Sequence, residues 1–401
     1  MEFLAFLKSF VLHIGFGITA VLSLAGIGDS PIQKELLVLE EKTVATEIVP
    51  LTPGWVISGE TSAPVIPTPL KPVISPFPKI AETRKAETPP PTLPETPKPA
   101  EPVAENTPVF LLPPPTETAV FDLNSRVRQS IVNILCRSSG GGVPSASGSG
   151  IIIDSKGVIL TNAHVAQLFL LRDYPQQGSV QCYIRTGSPA RNAYVAELLF
   201  ISPNWIRENA RNLTQNNPAG TGEHDYALLR ITGSANASLA LPSSFPALSF
   251  DASADTTIGR SVLLAGYPAG FLDGPTIESN LYAVSSPVTI KNVYTFGTNT
   301  VDLLSVGGSL VAQKGSSGGG VVDLATGKVV GVFVTSTEAA TTGERDLRAI
   351  TIEYIQRALL AEHHNSLETL LEGDIAAKAE QFNLGVAPTL TKLLTNALEN
   401  R

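Results

Sequence analysis

Three short segments of the sequence carry a histidine, an aspartate and a serine, the residue types of a nucleophilic catalytic triad. They are TNAHV at 161–165, HDYALL at 224–229 and GSSGG at 315–319. The segments are far apart in the chain, so a folded domain must bring them together. Because triads of the same geometry occur in other chain orders on unrelated folds, the order alone is weak evidence. The residues around each candidate carry the prediction.

The serine segment predicts a nucleophile and an oxyanion site. Glycines on both sides allow the sharp backbone that aims two N–H groups at one point. We expect the N–H groups of Gly315 and Ser317 to stabilise a tetrahedral oxyanion. Ser317 is preferred to Ser316 because it alone has glycine at −2, +1 and +2. A Gly/Ser run is more often a flexible linker, but this one lies between apolar strands.

The other two segments predict a general base and its partner. A strand ending at Thr161 delivers His164 to a barrel rim, where a short turn exposes its imidazole. Asp225 begins a later candidate strand. An acid there is often only a turn residue, and its proposed role requires burial beside His164, where it accepts a hydrogen bond from Nδ1–H. His224 is excluded as the base because neighbours in a strand point to opposite faces.

Many short strands without interleaved long helices predict a β-barrel or double barrel for this part of the chain. The candidate strands are 131–135, 150–154, 158–161, 180–185, 194–200, 226–231, 261–265, 283–293, 303–305, 320–323, 328–334 and 348–351.

These motifs together resemble the trypsin-like serine peptidases, and among them the bacterial HtrA/Deg type. The resemblance rests on SGSGIIIDSKGVILTNAHV at 147–165, on DYALLR from Asp225, on AGYP at 265–268 and on GSSGG, and it covers about 122–361. It implies an all-β fold of two six-stranded barrels with the site in the cleft between them. His164 would be the base, Asp225 its orienting acid and Ser317 the nucleophile.

The resemblance also implies a substrate pocket and shows departures from the family pattern. The pocket base would lie near Val311 and its wall at Val334, Thr335 and Ser336. Because no acid occupies the base, a small or apolar P1 side chain is favoured over Arg or Lys. Ser316 stands where many secreted digestive relatives have an aspartate that pairs with a new amino terminus, so that activation switch is absent. About 40 residues follow Ala361, too few for the PDZ module usual in the HtrA group.

Composition divides the chain into four predicted parts. Of the 31 prolines, 19 lie between Pro50 and Pro115, which favours extended polyproline II. The parts are a membrane anchor at 1–30, a proline-rich disordered linker at 31–119, a protease domain at 120–361 and a helical tail at 362–401. PxxP patterns in the linker leave an SH3-type ligand as an alternative. The net charge of −8 argues against a nucleic-acid partner.

The amino-terminal segment predicts a single-pass anchor. The twenty residues from Ser9 to Gly28 contain no Asp, Glu, Lys or Arg, a length that suits a transmembrane helix. A cleaved signal peptide is the alternative, with a small-x-small site at 23–25, but the apolar stretch is long and the positive region is one lysine. The catalytic part would lie outside the cytoplasmic membrane of a bacterium, or be secreted if the signal is cleaved.

Ser9 and His13 lie four residues apart and share one face of this helix. Their spacing resembles the amino terminus of TonB-type energy transducers, whose corresponding pair faces a proton-driven motor complex. A snorkelling histidine is the alternative.

Cys136 and Cys182 are the only cysteines. Two buried free thiols and one disulfide are both compatible with the sequence, and a disulfide requires an oxidising compartment. No zinc-ligand spacing occurs, so neither a metal nor another cofactor is predicted.

The carboxyl tail predicts helices. The segment NSLE at 365–368 resembles a capping box, and Leu367, Leu370, Leu371 and Ile375 form one apolar stripe. Packing of this stripe on the barrel is favoured over an oligomerisation helix.

The sequence therefore predicts a membrane-tethered serine endopeptidase that acts on proteins or peptides through an acyl-enzyme intermediate. The alternatives are a catalytically silent protease-fold binding module on a stalk and a TonB-like transducer that carries the domain as cargo.

Overall fold

The computed structural model describes residues 117–139, 142–215, 220–297, 299–337 and 341–400, without the side chains of Thr335 and Ser336. The predicted anchor at 1–30, with Ser9 and His13, and the predicted linker up to residue 116 lie outside these residues. Within the described ranges, no helix is long and apolar enough to cross a membrane.

Helix α1 (Glu117–Ser130) begins the described chain and runs directly into the first strand. Leu123 and Val127, four residues apart, lie on one face of the helix and are buried. The helix therefore packs on the domain and begins three residues before the predicted domain boundary at 120.

The first lobe is a closed six-stranded barrel, as the sequence predicts. Its strands are β1 (Ile131–Ser138), β2 (Ala146–Asp154), β3 (Val158–Thr161), β4 (Val180–Thr186), β5 (Arg191–Ile201) and β6 (Ala227–Ser234). They pair in the order β1-β2-β3-β6-β5-β4, and every pair is antiparallel. Closure leaves no free edge, because the last strand in this order, β4, pairs with the first.

The second lobe is a single antiparallel sheet of seven strands. They are β7 (Ser261–Gly266), β8 (Val284–Thr289), β9 (Asn292–Tyr294), β10 (Leu303–Gly307), β11 (Gly320–Asp323), β12 (Val329–Ser336) and β13 (Leu347–Thr351). Their order is β8-β7-β11-β12-β13-β10-β9.

This sheet corrects the prediction of a second closed six-stranded barrel. The strand predicted at 283–293 is divided into β8 and β9, which form the two edges and do not pair with each other in the described chain. The backbone of Ile290 bonds to Arg260 beside one edge, whereas the N–H of Lys291 donates to Ser305 O at the other, 2.8 Å away. Since only these two residues separate β8 from β9, the sheet must curl into a half-barrel that brings its edges close together.

Four helices follow β13: the first contacts β12 and β13, and the tail that follows it packs on the first barrel, as the sequence predicts. They are α5 (Ile352–His363), α6 (Leu367–Leu371), α7 (Ile375–Gly385) and α8 (Ala387–Glu399). Asn383 Nδ2 donates to Leu198 O on β5 at 2.8 Å, and Lys156 Nζ donates to Leu371 O at 2.8 Å. The predicted apolar stripe at 367–375 is buried but divided between α6 and α7.

Three shorter helices lie in the connections: α2 (Ala163–Ala166), α3 (Pro203–Asn209) and α4 (Gly274–Ser279). Of these, α2 carries His164 and therefore belongs to the candidate site.

Cys136 and Cys182 are joined by a disulfide between β1 and β4, where they face each other in register. Of the two states that the sequence leaves open, the structure has the bonded one. The bond links the two strands that close the first barrel.

Candidate active site

His164 is placed by the end of strand β3. The strand ends at Thr161, whose hydroxyl donates to Ser149 O at 2.7 Å, and α2 begins two residues later. Asn162, between them, donates from Nδ2 to the backbone oxygen of Asp225 at 2.9 Å. The Asn162 bond therefore ties the end of β3 to the turn before β6, and the Thr161 bond ties it to β2.

Asp225 binds His164 through both carboxylate oxygens. Its Oδ2 lies 2.7 Å from His164 Nδ1, and its Oδ1 accepts the backbone N–H of His164 at 2.9 Å. The Asp225 side chain is 7% exposed, whereas a third of the His164 side chain is exposed. The acceptor at Nδ1 fixes the tautomer with Nε2 unprotonated, which is the atom a general base needs. The predicted burial of Asp225 beside His164 is present in the structure.

The charge state of His164 follows from this contact. Burial opposes protonation of the imidazole, but the charge of Asp225 and the hydrogen bond to it outweigh burial and raise the pKa of His164 above 6.5. The histidine is therefore a stronger base than one free in water.

The serine loop adopts the backbone that its glycines predict. Gly315 has φ +92° and Gly318 has φ +86°, both in the left-handed region that favours glycine. A Cβ on Gly318 would lie 2.0 Å from Ser149 O and 2.4 Å from Thr161 Oγ1. The residue after Ser317 thus packs directly against the strand that delivers His164.

Two backbone donors of this loop are free in the described part of the chain. The N–H groups of Gly315 and Ser317 have no hydrogen-bond acceptor there, whereas the N–H of Ser316 donates to Gln313 O at 3.2 Å. Unpaired N–H groups on either side of Ser316 are what an oxyanion site requires.

Ser149 links both parts of the candidate site, and the sequence analysis did not identify it. Its N–H donates to Ser317 O at 2.7 Å and its hydroxyl donates to Gly315 O at 2.8 Å. The same hydroxyl accepts the N–H of Tyr267 at 2.8 Å. The signal in the sequence is the run SGSG at 147–150, which carries a hydroxyl between two glycines.

We expect Ser149→Ala to lower the free energy of unfolding by about 1–3 kcal/mol, because it leaves the buried Gly315 carbonyl and Tyr267 N–H unpaired. Urea unfolding measures the change. Ser145→Ala, which removes an exposed hydroxyl that accepts one backbone N–H, is the control. Equal stability of the two variants would contradict the bridging role of Ser149.

Ser316 occupies a buried position with an unpaired hydroxyl. The residue is 1% exposed, and its Oγ has no hydrogen-bond partner among the described residues. The preference for Ser317 over Ser316 agrees with this burial, because a nucleophile must reach its substrate.

His224 faces away from His164, but the reason differs from the predicted one. Strand β6 begins at Ala227, so His224 and Asp225 lie in a turn rather than a strand, and His224 has φ +58°. The turn directs the His224 imidazole to Glu362, at 2.8 Å, while the Asp225 carboxylate faces His164.

The residues predicted to form the substrate pocket do not line a common cavity among those described. Val311 is fully buried in the apolar cluster inside the second sheet, whereas Val334 belongs to the larger cluster, which extends over both lobes and the carboxyl-terminal helices. Thr335 and Ser336 lie in β12, with side chains outside the described set. Two surface cavities of about 460 Å³ each lie elsewhere, one beside Lys291 and one beside Arg230. The pocket assignment stays a prediction.

Among the described residues, no group of three or more His, Cys, Asp or Glu side chains could hold a metal ion.

Comparison with known proteins agrees with this geometry. Residues 148–332 match the family model described as a trypsin-like peptidase domain. A comparison with curated proteins found no match. The matched range includes most of β2, all of β3 to β6 and all three candidate triad residues.

Proposed function

We propose that the trypsin-like peptidase domain of this chain is an active serine endopeptidase. Ser317 Oγ attacks the carbonyl carbon of a peptide bond while His164 Nε2 takes the hydroxyl proton. The oxyanion accepts hydrogen bonds from the N–H groups of Gly315 and Ser317. The proton then passes from His164 to the leaving amine, the C–N bond breaks, and an acyl-enzyme ester forms on Ser317.

Deacylation repeats the sequence with water as the nucleophile. His164 takes a proton from water, the hydroxide adds to the ester carbonyl, and the proton returns to Ser317 Oγ as the carboxylic acid leaves. Asp225 stays ionised throughout and stabilises the imidazolium that forms in each half of the reaction.

The contact between His164 and Asp225 carries this proposal. A buried carboxylate that holds both the ring and the backbone N–H of a part-exposed histidine leaves Nε2 as the free basic atom. A histidine with a merely structural role would bury that atom or pair it. The two unpaired N–H groups of the serine loop support the same function.

A fluorophosphonate probe tests the proposal directly. We expect the full-length protein to be labelled stoichiometrically at Ser317, and Ser317→Ala to lower the labelling rate at least ~10³-fold, because the nucleophile is gone. Mass spectrometry of the labelled peptide locates the adduct. Ser316→Ala is the matched control, and we expect it to be labelled at the rate of the unaltered protein.

Absence of labelling at Ser317 in folded protein at several pH values would overturn the enzyme assignment. That result would favour a catalytically silent binding module with the protease fold.

We also propose that the peptidase is of the HtrA/Deg type and prefers a small or apolar P1 residue. The sequence motifs and the uncharged Val311 support this preference. Cleavage of a peptide library by the purified protein measures it, and a preference for Arg or Lys would contradict it.

For its location, we propose that the segment 9–28 anchors the domain outside a bacterial cytoplasmic membrane. The apolar segment and the Cys136–Cys182 disulfide, which suits an oxidising compartment, support this. Membrane fractionation and protease accessibility in spheroplasts test it, and recovery of all the protein as a soluble shortened chain would favour a cleaved signal. Ser9→Ala/His13→Ala tests coupling to a motor complex, and an unchanged phenotype would contradict that coupling.

A further inference from the structure

A second histidine–carboxylate pair lies directly beside the proposed triad. His224 Nδ1 is 2.8 Å from Glu362 Oε1, and His224 immediately precedes Asp225 in the chain. The Glu362 side chain is 5% exposed and that of His224 is 21% exposed. Neither residue has a role in the mechanism above, although the pair is as short and as buried as a functional ion pair.

His224 holds the turn that orients Asp225. Its left-handed φ of +58° is uncommon for a residue with a side chain, so other contacts must maintain it. The N–H of His224 donates to the Tyr354 hydroxyl at 2.9 Å, and its carbonyl accepts the N–H of Tyr226 at 2.8 Å. Tyr354 and Glu362 both belong to α5, so one helix binds the backbone and the ring of His224 together.

An ionised Glu362 at this buried position requires a cation beside it, and His224 is placed to supply one. A buried carboxylate is costly unless a cation compensates it. Glu362 Oε2 also accepts the neutral Ser202 hydroxyl at 2.8 Å, and the neutral Tyr226 hydroxyl faces the same carboxylate. His224 is its ion-pair partner among the described residues. The hydrogen bond to Glu362 outweighs partial burial and raises the pKa of His224 above 6.5.

The other groups that face His224 favour the same charge state. Glu223 Oε1 lies 4.0 Å from Nε2, the Tyr354 hydroxyl lies 3.4 Å from Nδ1, and Glu208 on α3 acts from farther away. All are anionic or neutral, so none replaces the imidazolium as the partner of Glu362. Because the pKa of His224 is raised, the pair is intact below 6.5 and is lost as the pH rises through the raised value.

We propose that His224 and Glu362 are positioning residues that hold Asp225 against His164, and that loss of their charge pair slows the reaction of Ser317 at alkaline pH. This inference rests on the proposed function, because the reaction rate is its main readout. Through this pair, the orientation of Asp225 in the triad depends on α5, the first helix after the strands of the two lobes.

The test is the rate of fluorophosphonate labelling from about pH 6 to about pH 10, the range in which a raised histidine pKa is visible. The variants are His224→Asn, Glu362→Gln and both together. Asparagine tolerates the left-handed turn and stays neutral. We expect each single variant to lower the rate about tenfold at neutral pH, because each breaks the charge pair, and the double variant to recover to within about threefold.

The pH profile distinguishes positioning from general destabilisation. The unaltered protein should lose rate at alkaline pH through deprotonation of His224, and the double variant, which has no titrating pair, should not. His364→Asn is the matched control, because His364 also has a left-handed φ but is exposed, and among the described residues it has no hydrogen bond or ion pair to His224 or Asp225. Its profile should equal that of the unaltered protein.

Single variants that react like the unaltered protein, or a double variant as slow as the singles, would overturn the assignment. A further readout is independent of catalysis: the downfield proton resonance of His164 Nδ1–H, identified by its loss in His164→Ala. We expect it to weaken in the single variants and return in the double variant. If Ser317 is not labelled in the unaltered protein, the proposed function fails, and this resonance alone decides the positioning role.

Discussion

Asp225→Asn is expected to lower the labelling rate at Ser317 and peptide turnover by about 10⁴-fold, the loss typical of triads without their carboxylate. The contacts of Asp225 give the reason. Its Oδ1 accepts the backbone N–H of His164, so an asparagine will keep its amide oxygen there. The NH₂ group then faces Nδ1, and the imidazole must carry its proton on Nε2, where it cannot accept one from serine.

Asp225→Asn should also shift the pH dependence of the labelling rate at Ser317. In the unaltered protein, His164 must be neutral to act as the base, and its raised pKa places the acid limb of the rate profile above pH 6.5. Without the charge of Asp225, the effect of burial on the pKa of His164 dominates and lowers it. The acid limb of the rate profile should therefore move to lower pH. Asp323→Asn, which removes a buried carboxylate that pairs with Arg260 rather than with His164, is the control and should leave the limb in place. An unchanged limb in Asp225→Asn would contradict the role of Asp225.

Gly318→Ala is expected to abolish labelling at Ser317 or to prevent folding. The new Cβ would lie 2.0 Å from Ser149 O and 2.4 Å from Thr161 Oγ1, and Ser149 belongs to the closed barrel and cannot withdraw. Either the serine loop moves away from the strand that carries His164, or the barrel opens. We expect a loss of at least ~10²-fold in labelling rate, since a displacement near 1 Å costs that much in a positioned site.

Gly259→Ala separates the steric clash from backbone strain. Gly259 has φ +88°, almost that of Gly318, but a Cβ there meets no atom within 4 Å. It should lower the free energy of unfolding by roughly 1–2 kcal/mol and leave the labelling rate unchanged. Thermal unfolding and labelling measured on both variants test this, and equal labelling rates would mean that close packing at Gly318 does not matter.

The local sequence was sufficient to predict much of the fold. Periodicity and turn residues placed all strands of the first barrel, and the apolar stripe at 367–375 is buried as expected. The closure of the second lobe could not be predicted in this way. Alternation along 283–293 is the same for one strand as for two, and only the hydrogen bonds of Ile290 and Lys291 to opposite edges divide it.

In the candidate site, too, the local features could be predicted from the sequence and the long-range contacts could not. The glycines around Ser317 determined a loop with left-handed positions, because the backbone conformation of such residues is a local property. The contacts of Ser149 with that loop join residues more than a hundred positions apart, and no local pattern encodes them.

The sequence by itself determined the residue types of the candidate site, a histidine, an acid and a serine between glycines, and the strands of the barrel next to them. Only the tertiary structure decided which atoms meet. The left-handed turn at His224 directs one side chain to Glu362 and the next to His164, and these residues lie in α2, in the turn before β6 and in α5. Alternation and propensity are short-range properties of a chain, whereas the direction of a side chain in a turn depends on what the fold packs against it.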